Sequence, residues 1–260
     1  MIKYKYIYGP VNSWRLGLSL GIDLLSQKKK VCTFDCVYCQ VGRVKPCSGT
    51  RKIYIPTKAI LDEIRSLPDI KIDYITFSGS GEPTLAKNLG TLIRSIRRIR
   101  KEKIAVLTNA TLLNRKDVQN ELKEADLVEA KLDASSDDTL SIINNPTKNL
   151  DIKKIVLAIK SFKRIYKGKL ILQIMLTKAN IGYVKGIAEL AKSIKPYAAD
   201  LNTPLRPSSI KPITKLQMKQ AAACFQGLRV RTVFDTKPYN NKAKPIDKRA
   251  VAKRRGVPNL

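Results

Sequence analysis

Apolar residues along this chain alternate between two spacings. Short, mainly apolar stretches occupy residues 18–25, 72–77, 104–107, 127–132, 170–176 and 198–202. Runs of that length between polar turns predict buried strands. Between them, apolar positions recur every three or four residues, as on one face of a helix. Ile60, Leu61, Ile64 and Leu67 predict a helix over 57–67, and Leu89, Leu92, Ile93, Ile96 and Ile99 the next. Val118, Leu122 and Ala125 mark another. Ile152, Ile155, Val156, Ile159 and Phe162 mark a long one over 151–166, and Val184, Ile187, Leu190, Ala191 and Ile194 the one after. A last helix near 214–225 leads to a strand-like 228–234.

Six strand–helix units in this order argue for a parallel sheet with helices outside it. In such folds, functional side chains gather at the C-terminal ends of the strands. Cysteines follow the first strand, Glu82 the second, Asn109 the third and Asp133 the fourth; Gln173 lies on the fifth, and Asn202 and Arg206 end the sixth. The pattern covers residues 1–234 as one domain. From Asp235 onwards, eight Lys or Arg face two acids, with three prolines and little apolar period. The 235–260 segment therefore reads as an extended, partly disordered basic extension.

Composition narrows the chemistry. Of 260 residues, 43% are hydrophobic, enough for a sizeable core, and no run approaches a membrane span. The opening Met1-Ile-Lys-Tyr-Lys-Tyr6 lacks the apolar stretch of a signal peptide, so a cytoplasmic location with no membrane contact is expected. Histidine is absent. That excludes Ser-His-Asp and Cys-His hydrolases and HExxH metalloproteases. Acid–base work falls to Lys, Tyr, Asp, Glu or Cys. The net charge of +29 suits a polyanionic partner, either RNA, DNA or an acidic protein. A solvated lysine-rich surface is the plainer explanation, also for the basic stretch 94–103.

The five cysteines form no disulfide framework. Cys32, Cys36 and Cys39 have C-x3-C-x2-C spacing, while Cys47 and Cys224 stand apart and read as ordinary buried thiols. Three thiolates hold three corners of a four-iron cluster and leave one iron open. A structural zinc site would need a fourth ligand, Cys47 being the nearest, and zinc ligands usually come as two C-x2–4-C pairs. Gly79-Ser80-Gly81 alone fits a phosphate-binding turn weakly, since the P-loop lysine and the full G-x-G-x-x-G are missing.

The run Cys32-Thr-Phe-Asp-Cys36-Val-Tyr-Cys39, followed after the next strand by Ser80-Gly-Glu82, resembles the radical S-adenosylmethionine superfamily. Ser80 stands where that family's GGE motif has its first glycine. The resemblance implies an α/β partial TIM barrel of (β/α)6 type. It implies a 4Fe-4S cluster on Cys32, Cys36 and Cys39, with S-adenosylmethionine on the open iron. It implies reductive cleavage to methionine and a 5′-deoxyadenosyl radical that abstracts hydrogen from a substrate. An electron donor such as flavodoxin or ferredoxin is implied too. For cofactor binding, the implied residues are Tyr38, Gly79, Ser80, Gly81 and Glu82, then Asn109, Lys131, Asp133 and Ser135. Gln173, Asn202 and Arg206 are expected to face the substrate.

The opening Ile7-Tyr-Gly-Pro-Val-Asn-Ser-Trp-Arg-Leu-Gly17, with Cys39-Gln-Val-Gly-Arg43 and Leu201-Asn-Thr-Pro-Leu-Arg-Pro207, resembles a compact branch similar to wyosine synthases, which modify guanosine in tRNA. Those enzymes carry a second cluster upstream, and this chain has no cysteine before Cys32. The expected function is therefore a radical enzyme acting on tRNA or other RNA. A radical activase or modifier of a protein is one alternative. A zinc-stabilised basic nucleic-acid-binding protein without catalysis is another.

Overall fold

A computed structural model describes residues 4–43, 45, 49–147, 150–206, 208–235 and 244–255. The strand-forming runs lie side by side in sequence order. They are β1 (Ile7–Ser13), β2 (Gly17–Ile22), β3 (Tyr74–Phe77), β4 (Lys103–Thr108), β5 (Leu127–Lys131), β6 (Lys169–Met175), β7 (Ala198–Asn202) and β8 (Val230–Thr232). β1 is antiparallel to β2, and every later neighbour pairs in parallel. The sheet curls into a half-barrel, as a partial TIM barrel requires. The six expected strands are β2 to β7, and the strand-like 228–234 contains β8. β1 escapes an apolar-run reading because Gly9-Pro10 interrupts it, which an edge strand tolerates.

Helices cover the outer face: α1 (Thr57–Arg65), α2 (Leu89–Ile99), α3 (Lys116–Leu122), α4 (Asp137–Asn144), α5 (Ile152–Ile165), α6 (Val184–Ile194) and α7 (Lys215–Ala223). In α2, Leu89, Leu92, Ile93 and Ile96 are buried, while Arg97 and Arg98 sit in the last turn, where the helix dipole favours cations. In α5, the Asp151 carboxylate caps the first turn by accepting from Lys154 N at 2.7 Å. α4 was not expected, since its only large buried apolar residues are Leu140 and Ile143.

Strand alternation divides the side chains between two compartments. Val128 and Ala130 of β5 join the main core beneath the helices. Leu127, Glu129 and Lys131 alternate with them and turn to the concave side. There Leu16, Ala105, Leu127, Ile171 and Ala198 form a second, smaller apolar cluster. They plug the end of the half-barrel where the parallel strands begin.

The C-terminal extension differs from its expected extended form. Residues Lys248–Arg255 make a helix, α8, which packs along β1. Ile246 N donates to Gly9 O at 2.7 Å, and Ala250 is fully buried. Covering an exposed edge strand is a usual way to protect it from pairing with other chains. No apolar period revealed this helix: among its described side chains, the buried ones are Ala250 and Arg254.

Candidate active site

The loop after β2 carries Cys32, Cys36 and Cys39, all free of disulfides. All three line a cavity of about 480 Å³ that opens at the C-terminal ends of the strands. Backbone bonds pin the loop on two sides. Asp35 N and Val37 N each donate at 2.9 Å, to Asn144 O and Ile143 O respectively, at the end of α4. Val31 forms a parallel bridge with Gly81, and Glu82 N donates to Val31 O at 3.0 Å. Gly81 must be glycine here, because a Cβ would collide with Val31 O. Gly81→Ala is expected to destabilise the protein by about 2 kcal/mol. It should also lower the iron retained after reconstitution, as read by thermal melting and iron analysis. An unchanged melting temperature would contradict this close approach.

Each sulfur has at least one N–H donor beside it. Asn109 Nδ2 lies 3.6 Å from Cys32 Sγ, Asn144 Nδ2 3.3 Å from Cys36 Sγ, and Lys30 Nζ 3.3 Å from Cys39 Sγ. Without metal, burial, followed by the Glu82 carboxylate, pushes the Cys32 thiol up to about 12. Burial also raises Cys36. Sulfurs that each face a donor suit thiolate ligands, whose negative charge those donors stabilise. Among the described residues, no three Cys, Asp or Glu side chains gather closely enough to hold a single metal ion. A cluster does not require that, since each thiolate takes its own iron. The donor set therefore fits a three-cysteine 4Fe-4S cluster better than structural zinc. Cys47 lies outside the described residues. Cys224 is half-buried at the end of α7, less enclosed than expected.

Glu82 follows β3 and is 2% exposed. Its Oε1 accepts from Thr84 N, Thr84 Oγ1 and Thr108 Oγ1 at 3.1, 2.7 and 2.6 Å. Its Oε2 accepts from Asn109 N at 2.6 Å, and the residue lines the cavity. Burial raises its pKa, while these hydrogen bonds pull it back. Arg51, itself buried, anchors the segment beyond by donating to Thr84 O and Ala86 O at 2.7 and 3.0 Å.

The remaining expected residues divide into two groups. Tyr38, Gly79, Ser80, Gly81, Glu82, Asn109, Lys131, Gln173, Asn202 and Arg206 all line the cavity. Asp133 and Ser135 are not among its lining residues. The Asp133 carboxylate is buried and engaged by the Tyr38 hydroxyl, by Asn144 Nδ2 at 2.8 Å and by Met175 N at 2.8 Å. Ser135 packs against Gly186 of α6, on the helix side of the sheet. Lys131 Nζ sits 5.2 Å over the Tyr38 ring and donates to Gln173 Oε1 at 2.7 Å. Arg206 Nη1 donates to Gln40 Oε1 at 3.2 Å.

Sequence reading did not single out Asn144, Lys30, Asp23, Arg15, Glu129 or Arg254. Alternation alone would have found Glu129, which shares a strand face with Lys131. Arg15 and Glu129 form an ion pair deep in the cavity. Arg15 Nε and Glu129 Oε2 stay buried there without hydrogen-bond partners. Leaving such groups unpaired costs roughly 1–3 kcal/mol each, which a bound polar group would relieve.

The sequence model of the Radical SAM superfamily matches residues 29–191. A UPF0026 protein from Synechocystis sp. is 43% identical over 80% of this chain and 78% of its own length. A protein named GTPase Obg from Brachyspira hyodysenteriae is 35% identical over 94% of this chain, but this covers only 36% of that protein. Among solved structures, TYW1 with a lysine-pyruvate adduct bound superposes with TM-score 0.63 at 14% identity, covering 86% of this chain and 81% of that one. Streptococcus suis SuiB bound to S-adenosylmethionine superposes with TM-score 0.61 at 15% identity, covering 78% and 48%. At such identities the two structures show a shared fold.

Proposed function

The chain belongs to the radical SAM superfamily and, within it, to the UPF0026 family, and from that premise we propose that it acts on RNA, with tRNA as the substrate class. When bound, the 4Fe-4S cluster and S-adenosylmethionine supply one-electron, hydrogen-abstracting chemistry. The chain's own residues do the rest. Cys32, Cys36 and Cys39 would hold the cluster, with Asn109, Asn144 and Lys30 donating to their sulfurs. The Glu82 carboxylate offers an acceptor for an ammonium group. Lys131, Gln173 and the Arg15–Glu129 pair lie deeper, where a substrate group would meet them.

The observation that carries the RNA reading is the charge of the two loops framing the cavity. Residues 24–50 and 203–214 expose Lys28, Lys29, Arg43, Lys45 and Lys211. Their only acid is Asp35, which is 5% exposed and paired with Lys30 and Arg43. These two loops are thus basic on their exposed side, suited to phosphates and to an acidic electron donor such as flavodoxin or ferredoxin. Affinity for tRNA, measured by fluorescence anisotropy, should fall roughly a hundredfold or more between about 50 and about 200 mM salt. Absence of binding at the lower salt would rule out RNA and leave a protein substrate.

A further inference from the structure

We propose that Arg254, on the C-terminal helix α8, is a positioning residue for the loop 78–82, which lines the cofactor end of the cavity. This rests on the reading of that cavity as the S-adenosylmethionine site. Arg254 is 231 residues away from Asp23 in sequence, yet its Nε donates to Asp23 Oδ2 at 2.9 Å. Both side chains are almost completely buried, at 1% and 2% exposure. Asp23 follows β2 and makes no other ion pair among the described residues.

Asp23 in turn shapes the loop. Its Oδ2 accepts from Ser80 Oγ at 2.5 Å. Gly79, at φ +145°, presses so closely on the Asp23 side chain that a Cβ would collide with it. Arg254 reaches the loop's other flank through Tyr8. Its guanidinium lies 5.3 Å over the Tyr8 ring, and the Tyr8 hydroxyl shares a hydrogen bond of 2.8 Å with Ser78 Oγ. The rest of the guanidinium is held by Ala250 O at 3.1 Å, Ser26 Oγ at 2.9 Å and Lys5 O. Nearly every donor of the fork is used, so its position is fixed from several sides. Removing one member of such a buried pair strands the other charge. A stranded Asp23 would draw water or a new partner and release Ser80 and Gly79.

Two measurements test this on the full chain. In metal-free protein, Arg254→Ala should speed amide hydrogen exchange in 78–82 while leaving α5 at the wild-type rate. In reconstituted protein, it should weaken S-adenosylmethionine binding about tenfold with iron content unchanged. Arg254→Lys should recover part of that loss, keeping the charge near Asp23 but not the fork. Because Arg254 acts through Asp23, the Asp23→Asn/Arg254→Ala double variant should lose less than the product of the single losses. Wild-type exchange in 78–82, unchanged affinity in Arg254→Ala, or losses that multiply would each overturn the proposal. If Arg254→Ala does not fold, Arg254→Lys must still show faster exchange in 78–82, or the proposal falls. If loaded wild-type protein binds no S-adenosylmethionine, the reading of the cavity fails, while the exchange data still decide the role of Arg254.

Discussion

Replacing any one of Cys32, Cys36 or Cys39 by alanine is expected to abolish the 4Fe-4S absorbance after anaerobic reconstitution, and with it all cleavage of S-adenosylmethionine. The effect is close to all-or-none because two thiolates cannot hold a four-iron cluster against competing thiols in solution. The fold should survive the loss. The loop is tied by the backbone bonds of Asp35, Val37 and Glu82, which do not involve the sulfurs. Circular dichroism of each variant should therefore match wild type while its iron content collapses. A variant that gains the wild-type absorbance would show that its cysteine is not a ligand.

Glu82 carries the second large effect, and two substitutions separate its roles. Glu82→Ala removes the acceptor for Thr84, Thr108 and Asn109 together. Buried donors left unpaired cost roughly 1–3 kcal/mol each, so a loss of about 3 kcal/mol in stability is expected. Glu82→Gln keeps one carbonyl oxygen and most of the shape. It places an amide N–H where Oε2 now accepts from Asn109 N, and it removes the negative charge. Its stability should fall by about 1 kcal/mol, while affinity for S-adenosylmethionine drops at least about tenfold, or ~1.4 kcal/mol. Equal binding by Glu82→Gln and wild type would remove the carboxylate from the cofactor site. Melting curves and binding isotherms on the same loaded samples give both numbers.

Much of this arrangement was legible in the sequence because the barrel is built from local signals. Buried strands such as β4 and β6 read as apolar runs, and helices such as α5 show their period and cap. The cysteine spacing and the glycines before Glu82 fix the cavity's chemical end in the same way. What stayed hidden depends on contacts between distant parts of the chain. β1 is an edge strand interrupted by Gly9-Pro10, so its register comes from β2 rather than from its own pattern. α8 gains its place from buried Ala250 against β1 and from Arg254 meeting an aspartate near the other end of the chain. Asp133 sits at a strand end like Glu82, and only the structure shows that its oxygens are taken by Tyr38, Asn144 and Met175. A carboxylate's position along a strand does not reveal whether its lone pairs are already occupied.

The apolar plug of Leu16, Ala105, Leu127, Ile171 and Ala198 closes one route into the cavity. With that end stoppered by apolar side chains, Glu129 and Gln173 can be reached only from the C-terminal ends of the strands or through the open side of the half-barrel, so a bound cofactor and a substrate need not share one entrance.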